Sequence, residues 1–496
     1  HRYHILYTNP EIDYWMRFAC KLFIIGSILF LTGPAAFGQM SLTDNTVVFS
    51  TTSTTPTEDS NRLFVIRDIT ITGNNRTRPA TILRELSFTI NEEHSLGEIA
   101  KKFQKARRQL MNTGMFLDVV VSLKSLEGYD VHVNIEVKEK WYVWPNAFIK
   151  PVDKSIGQWW REKDRNMERI NYGVRLAHNN ITGRNDKLRV AFMNGYTRQV
   201  SLQYWGLWLD KDFKWSTNAG ISFGKNKEVN YMTFRNKQVP LKDDNFLHTY
   251  FSGFLHVNYR PAIKTFHTFG VGYIYEEVAD TIFKLNPLFS AASNISRYPE
   301  LFYKVAYFNV DFIAYPTKGF FGDVWLKKKG FGKYVNIWEL SVRASKTWPL
   351  SEKSFFNVKG LGVIKLPFNQ PYTGKNLIGY EGRFMQGYEY YVIDGVAGGF
   401  AKASLNRAIL KTHISIPSQK LKRLNHIPIR LYAKTFVNAG HVYNNDPGFD
   451  KLTNKMLYSG GVGLDLVTFN EFVIKIEWSF NRLGENGLYL HQRHDF

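Results

Sequence analysis

The chain is almost without cysteine. Cys20 is the only one in 496 residues. Structural disulfides and a catalytic thiol are therefore excluded from everything that follows it. Uninterrupted apolar runs of the ~18 or more residues that a membrane-crossing helix needs are also lacking. Acidic residues are scarce beside basic ones, 43 against 64, which leaves a formal charge of +21. Such an excess suggests nucleic acid, but there is no Lys/Arg-clustered helix and no recognised reader motif, so no nucleic-acid partner is expected. No nucleophile–base pattern stands out. His491 and His494 would fall on opposite faces of a strand, which argues against a metal site. Gly461-Val-Gly463 precedes a strand rather than a helix, so it is no phosphate loop. The expectation is a non-enzyme with no catalytic residues, no metal and no cofactor.

Aromatic residues, by contrast, are abundant at 16%. Many aromatics with negative mean hydropathy suit a transmembrane β-barrel, which keeps only alternate residues apolar. The basic residues are spread through alternating segments, which points to a cationic lumen or to anionic lipid head groups.

The N-terminal region divides by composition. Residues 1–15 lack methionine and read as an over-extended translation start. Met16-Arg17 and Lys21 form a charged region, and the apolar run 22–31 follows. Ala36-Phe37-Gly38 then supplies small residues at the two positions that matter. Residues 16–38 therefore read as a secretory signal cleaved before Gln39. Roughly ten apolar residues are too few for an anchor. Cys20 precedes the run, which does not fit a lipoprotein signal. Residues 39–62, rich in Ser and Thr, read as a flexible linker.

Residues 63–140 predict a compact α+β unit. Ile69 and Ile71 alternate with Thr70 and Thr72 until Gly73-Asn74 breaks the strand. Thr77 and Pro79 open a helix carrying Ile82, Leu83 and Leu86. A second helix places Ile99, Phe103, Ala106 and Leu110 on one face. Two strands close the unit. Leu117, Val119, Val121 and Leu123 share a face of the first, and Val131, Val133, Ile135 and Val137 share a face of the second. The order β-α-α-β-β gives a small sheet with both helices on one side.

From Trp141 to Phe496 no helical period appears. About sixteen alternating segments follow instead, the even number that single-chain bacterial barrels require. They fall near 141–151, 169–179, 186–195, 197–208, 213–224, 248–259, 264–277, 300–315, 318–329, 334–348, 352–366, 397–411, 427–443, 457–469, 471–482 and 487–496. Trp338, Leu340 and Val342 oppose Glu339, Ser341 and Arg343. Tyr432, Lys434, Phe436 and Asn438 share one face of their segment, as do Lys475, Glu477 and Ser479 of theirs. The long connections are the first, fifth, seventh and eleventh, all on one side, while the even ones are mostly tight. Transmembrane barrels sort their loops in this way.

The eleventh connection, 367–396, carries Tyr380-Glu-Gly-Arg-Phe-Met-Gln-Gly-Tyr-Glu-Tyr-Tyr-Val-Ile-Asp394. A loop that packs inside something hollow has reason to hold so many aromatic residues; a solvated one has none.

The unit at 63–140 resembles a POTRA domain, on Ile71-Thr-Gly-Asn74, Leu110-Met-Asn-Thr-Gly-Met-Phe116 and the closing hairpin. A POTRA domain running into a sixteen-stranded antiparallel barrel resembles the BamA/TamA/two-partner-secretion superfamily, the bacterial surface antigen family. That resemblance implies a barrel in the bacterial outer membrane with the POTRA domain in the periplasm. It also implies a sixth extracellular loop turned into the lumen, with an Arg-Gly-aromatic tip facing an acidic residue of a Phe-x-Asp-x-Gly stretch. Here the tip reads Gln386-Gly387-Tyr388, and the stretch reads Phe436-Val437-Asn438-Ala439-Gly440. Both charges are absent, so an amide pair Gln386–Asn438 is expected. The alternative is Arg383 pairing with Asp465 or Glu477.

The implied role is assembly or insertion of outer-membrane proteins, or polypeptide translocation across that membrane. Partners would be unfolded outer-membrane or secreted polypeptides, periplasmic chaperones or accessory lipoproteins, and outer-membrane lipid. The strand Leu117–Leu123 would offer an edge for them. Pro145 in the first barrel segment and poor alternation in the last predict a weak seam. The alternative is a passive pore or a surface adhesin, which a lumen-filling loop disfavours.

Overall fold

The computed structural model describes residues 62–151, 170–290, 293–332, 335–380, 382–414, 427–468 and 472–492. The signal, the linker and the first long loop fall outside these residues. The POTRA-like unit holds β1 (Leu63–Thr72), a short helix α1 (Pro79–Leu83), β2 (Glu93–Ser95), the long helix α2 (Leu96–Asn112), β3 (Phe116–Glu127) and β4 (Asp130–Glu139). Ser95 and Glu98 form a capping box that starts α2, satisfying two backbone donors that would otherwise be orphaned. Ile99, Phe103, Ala106 and Leu110 are its buried stripe. They pack on Val131, Val133, Ile135 and Val137 of β4 and on Ile66 of β1.

The sheet order is β2-β1-β4-β3, so β3 lies at one edge. Val119 and Val121 are buried and Leu123 packs against the core, but Leu117 does not belong to that row. A register shift between Phe116 and Asp118 leaves Leu117 in a bulge, and Phe116 takes the core position. An extra residue at a bulge puts its neighbours out of strict alternation, which explains the correction.

Sixteen strands form one antiparallel sheet. They are β5 (Val143–Pro151), β6 (Ile170–Asn179), β7 (Lys187–Gly195), β8 (Thr197–Trp208), β9 (Trp215–Asn226), β12 (His248–Ala262), β13 (Thr265–Val278), β14 (Ile295–Val310), β15 (Gly319–Lys329), β16 (Ile337–Pro349), β17 (Ser354–Leu366), β20 (Ala397–Ile414), β21 (Ile427–Tyr443), β22 (Leu457–Val467), β23 (Val473–Asn481) and β24 (Asn486–Gln492). Two small hairpins lie outside the sheet: β10 (Glu228–Phe234) with β11 (Lys237–Lys242), and β18 (Asn376–Ile378) with β19 (Ile393–Asp394). The alternation sorts the faces. Trp338, Val437, Val462, Ile476 and Trp478 point outward and are exposed, whereas Glu339, Lys434, Asn438, Asp465 and Glu477 point inward and are buried. An outer apolar surface around a polar interior is the arrangement that lipid imposes on a barrel. Among the described residues no helix is long and apolar enough to cross a membrane.

Three details depart from the sequence reading. A helix, Asp280–Leu285, lies in the seventh connection; it is too short to show a period. The β10–β11 hairpin occupies the fifth. The segment expected at 300–315 is β14 at 295–310, and residues 311–318 turn inward instead. Asp311 shapes that turn, accepting hydrogen bonds from Thr317 N, Thr317 Oγ1 and Lys318 N. Tyr315 is thereby buried against Phe355 and Tyr432 on the inner wall. Phe312, Ile313, Ala314 and Tyr315 look like a continuing strand because the run is apolar and packs on a wall in either case.

The POTRA-like unit meets the barrel at the short turns. Arg76 donates to the carbonyls of Asn180 and Ile181, and Arg78 to that of Thr182. Arg260 forms a two-pronged ion pair with Glu85, at 2.5 and 2.8 Å. Arg84 stacks over Trp208 and Phe213. Asn112, the last residue of α2, donates to the carbonyls of Val310 and Asp311 and accepts from Ile313 N.

Candidate functional site

The long loop between β17 and β20 folds back into the barrel, and its residues form a core with the wall. Leu377, Ile378, Met385, Tyr388 and Ile393 pack with Leu361, Val363 and Val442. Tyr388 is 2% exposed; its hydroxyl donates to the Tyr458 carbonyl at 3.0 Å and accepts from Arg482 N. Gly387 has φ +86°, and a Cβ there would lie 3.0 Å from Ser459 Cβ and 3.2 Å from the Phe480 carbonyl. Only glycine takes that conformation at so close an approach without strain.

The tip does not make the expected amide pair. Gln386 Nε2 donates to Glu477 Oε1 at 3.1 Å, and Ser459 Oγ donates to the Gln386 carbonyl at 2.5 Å. Asn438 Nδ2 donates to the same Ser459 Oγ at 3.0 Å. Ser459 therefore stands between Gln386 and Asn438, which lie on one network without touching through their amides. A carboxylate can only accept, which fixes the Gln386 amide with its NH2 toward Glu477. Arg383 contacts neither Asp465 nor Glu477. Its guanidinium meets Glu339 Oε1 at 2.6 Å, on β16. Phe436 is buried beside Gly461, and Gly440 lies against Met385 of the loop.

Below the tip, Asp465 and Glu477, expected as partners of Arg383, instead form a buried ionic group around Lys434. Lys434 Nζ lies 2.6 Å from Asp465 Oδ1 and 2.6 Å from Glu477 Oε1. The Tyr315 hydroxyl donates to Asp465 Oδ2 at 2.9 Å. His491 Nε2 on β24 is 3.2 Å from Glu477 Oε2 and 3.3 Å from Glu389 of the loop. One carboxylate thus joins the loop tip, the wall and the last strand. The inward alternation already placed Lys434, Asp465 and Glu477 on one side. Missing was the register, which offsets Lys434 from Asp465 by two residues along β22.

At the end away from the POTRA-like unit, the loops close over one another. Asn236, in the β10–β11 turn and 1% exposed, accepts from Val392 N through its carbonyl and from Lys451 N and Leu452 N through its side chain. Its own N–H donates to Asp450 Oδ1 at 2.7 Å. Burial pushes the Asp450 carboxyl up to about 6, the Asn236 N–H opposes this, and the neighbouring Asp394 charge adds to it. Its folded value therefore lies above its unfolded one. The docked loops bind a proton that the open loops release between about pH 4 and 6. Docking is strongest below that window and weakens as pH rises through 6, by ~1 kcal/mol after allowing for solvent screening. Exchange of the Lys451 and Leu452 amides, corrected for intrinsic rates, should be slower at pH 5 than at pH 7. Asp450→Asn should remove the difference; an unchanged difference in that variant would reject the assignment.

A small α+β unit followed by a sixteen-stranded antiparallel barrel defines a POTRA-plus-barrel protein. Residues 64–140 match the POTRA family model, described as surface antigen variable number repeat. Over 107 residues the chain is 28% identical to outer membrane protein assembly factor BamA of Neorickettsia risticii (strain Illinois), a match spanning 22% of this chain and 12% of that protein. Among solved structures it is similar to BamA from Haemophilus ducreyi lacking POTRA domains 1–3, at 16% identity and TM-score 0.48, covering 86% of this chain and 83% of that one. It is also similar to CdiB from Escherichia coli, at 11% identity and TM-score 0.45, covering 90% and 91%.

Proposed function

We propose that the protein sits in the bacterial outer membrane with its POTRA domain in the periplasm, and that it inserts or translocates polypeptides by strand addition. The observation that carries this reading is the seam. Every neighbouring pair from β5 to β24 is hydrogen-bonded, but among the described residues no ladder joins β24 to β5. Unpaired backbone groups facing lipid cost several kcal/mol each, so such an edge favours pairing with an incoming strand. The β3 edge of the POTRA sheet would receive clients or accessory proteins in the same manner. Support also comes from the sequence match to an outer-membrane assembly factor. A lumen occupied by loop and turn does not favour a passive pore.

The test is a disulfide across the seam. Cysteines would be placed pairwise at positions 144–149 of β5 and 487–491 of β24, in a chain whose described residues contain no cysteine. Insertion of a labelled β-barrel client into vesicles should stop on oxidation and return with reductant. Full activity of a verified crosslinked barrel would overturn the lateral route.

A further inference from the structure

The face of α2 turned away from its own sheet is cationic. Lys101, Lys105, Arg108 and Asn112 follow one another along a single stripe, opposite the buried stripe of Ile99, Phe103, Ala106 and Leu110. Asn112 docks that stripe on the β14–β15 turn. The other basic residues of the helix are engaged elsewhere, Lys102 by Glu92 and Arg107 by Asp118. Glu98, the acidic residue of α2, is taken by the capping box. Asp311, in the turn, already accepts from Thr317 and Lys318. Among the described residues, Lys101, Lys105 and Arg108 have neither an ion pair nor a side-chain hydrogen bond, and the same holds for Lys264 in the β12–β13 turn. Burial first, then the charges of Lys264, Lys102 and Arg108, hold the Lys105 ammonium below its usual range. The stripe thus reaches the β12–β13 turn as well as the β14–β15 turn.

Lys105 and Asn112 lie about 10 Å apart along the helix. The two turns are two strand spacings apart, also about 10 Å. These matching spans lay α2 along the rim of the barrel. The short turns end the membrane-crossing strands, so the stripe stands at the level of lipid head groups.

We propose that Lys101, Lys105 and Arg108 of α2, with Lys264 of the barrel, bind the anionic phosphate head groups of the membrane leaflet on the POTRA side. The proposal rests on the outer-membrane reading above. A face held up against the rim meets head groups already present there, whereas a folded acidic protein would have to displace them. Each cation near an anionic surface favours contact roughly fivefold, and the attraction fades within about 10 Å. Lipid charge would then hold the POTRA domain along the rim together with the Arg260–Glu85 pair.

The test uses the full chain in vesicles of phosphatidylcholine alone and of phosphatidylcholine mixed with phosphatidylglycerol. Lysines are acetylated with an amine-reactive reagent, and the rate at each site is read by mass spectrometry. A lysine capped by phosphate holds its proton more firmly and reacts more slowly. Lys101 and Lys105 should react roughly fivefold more slowly in the mixed vesicles, while Lys124, on β3 and outside the stripe, should not change. Arg108→Gln combined with Lys264→Gln should weaken the protection of Lys105, and added salt should weaken it at both lysines. Equal rates at Lys101 and Lys105 in the two vesicle types would overturn the proposal and leave the face to an acidic protein. Equal protection by soluble glycerol phosphate in the neutral vesicles would overturn it too, because the phosphate need not then come from lipid. Faster gel migration of unheated protein from both vesicle types reports the inserted barrel separately, so loss of lipid contact stays distinct from failure of the membrane reading.

Discussion

Lys434→Met should lower barrel stability by about 3–5 kcal/mol, the cost of leaving a buried charge without its partner. Asp465 and Glu477 are 2% and 1% exposed, and each lies 2.6 Å from the Lys434 ammonium. Removing that cation leaves two carboxylates facing one another. Protonation, or water drawn into the lumen, would then have to relieve them. Methionine fills much of the lysine volume, so a cavity contributes little to the loss. The triple variant Lys434→Met with Asp465→Asn and Glu477→Gln should recover most of it, because neither buried carboxylate is then left without the lysine that pairs with it. The readout is the urea midpoint of refolding into micelles, compared at equal slope. A loss below about 1 kcal/mol in the single variant would mean that the ions are solvated.

Arg260→Ala should release the POTRA-like unit from the barrel. Glu85 is 3% exposed, and its two oxygens take both prongs of the Arg260 fork. Arg84 remains beside Glu85 at 3.0 Å, so the effect belongs at the lower end of the buried-pair range, about 3 kcal/mol. That is more than a hundredfold shift in the docked-to-undocked ratio. Arg260→Lys should recover only part of the docking, since a lysine cannot make the planar two-pronged contact. The measurement is disulfide trapping between cysteines at Asn112 and Ile313, which are hydrogen-bonded neighbours when docked. Unchanged trapping in Arg260→Ala would show that the ion pair does not hold the interface.

Much of this architecture is legible in the sequence because period and burial coincide. The α2 stripe of Ile99, Phe103, Ala106 and Leu110 reads as a helix face, and it is the buried one. The inward row Lys434, Phe436 and Asn438 follows from alternation alone. Contacts across the lumen do not follow in this way. Alternation tells which side Arg383's partner must face, but not that Glu339 on β16 is nearer than Glu477 on β23. Ser459, the residue that joins Gln386 to Asn438, is a small polar residue with no pattern of its own. The inward turn at 311–318 reads as strand in the sequence because Phe312 and Tyr315 are apolar for either fate. Local sequence specifies which residues are buried, while pairing between distant strands depends on shear and register, which no short window encodes.

The placement of the POTRA-like unit makes the periplasmic mouth lopsided. Among the described residues, its hydrogen bonds to the barrel fall on turns that precede β16, at 180–185, at Arg260 and at 310–313. The described turns after β16, at 350–353 and around 468, receive none of these contacts. Among the described residues, the side of the rim that leads to β24 therefore shows no hydrogen bond to this unit. On the strand-addition route proposed above, a client arriving from below would approach on the side of the final strands and would meet β24 before β5. Order of encounter would then be a matter of approach path rather than of affinity.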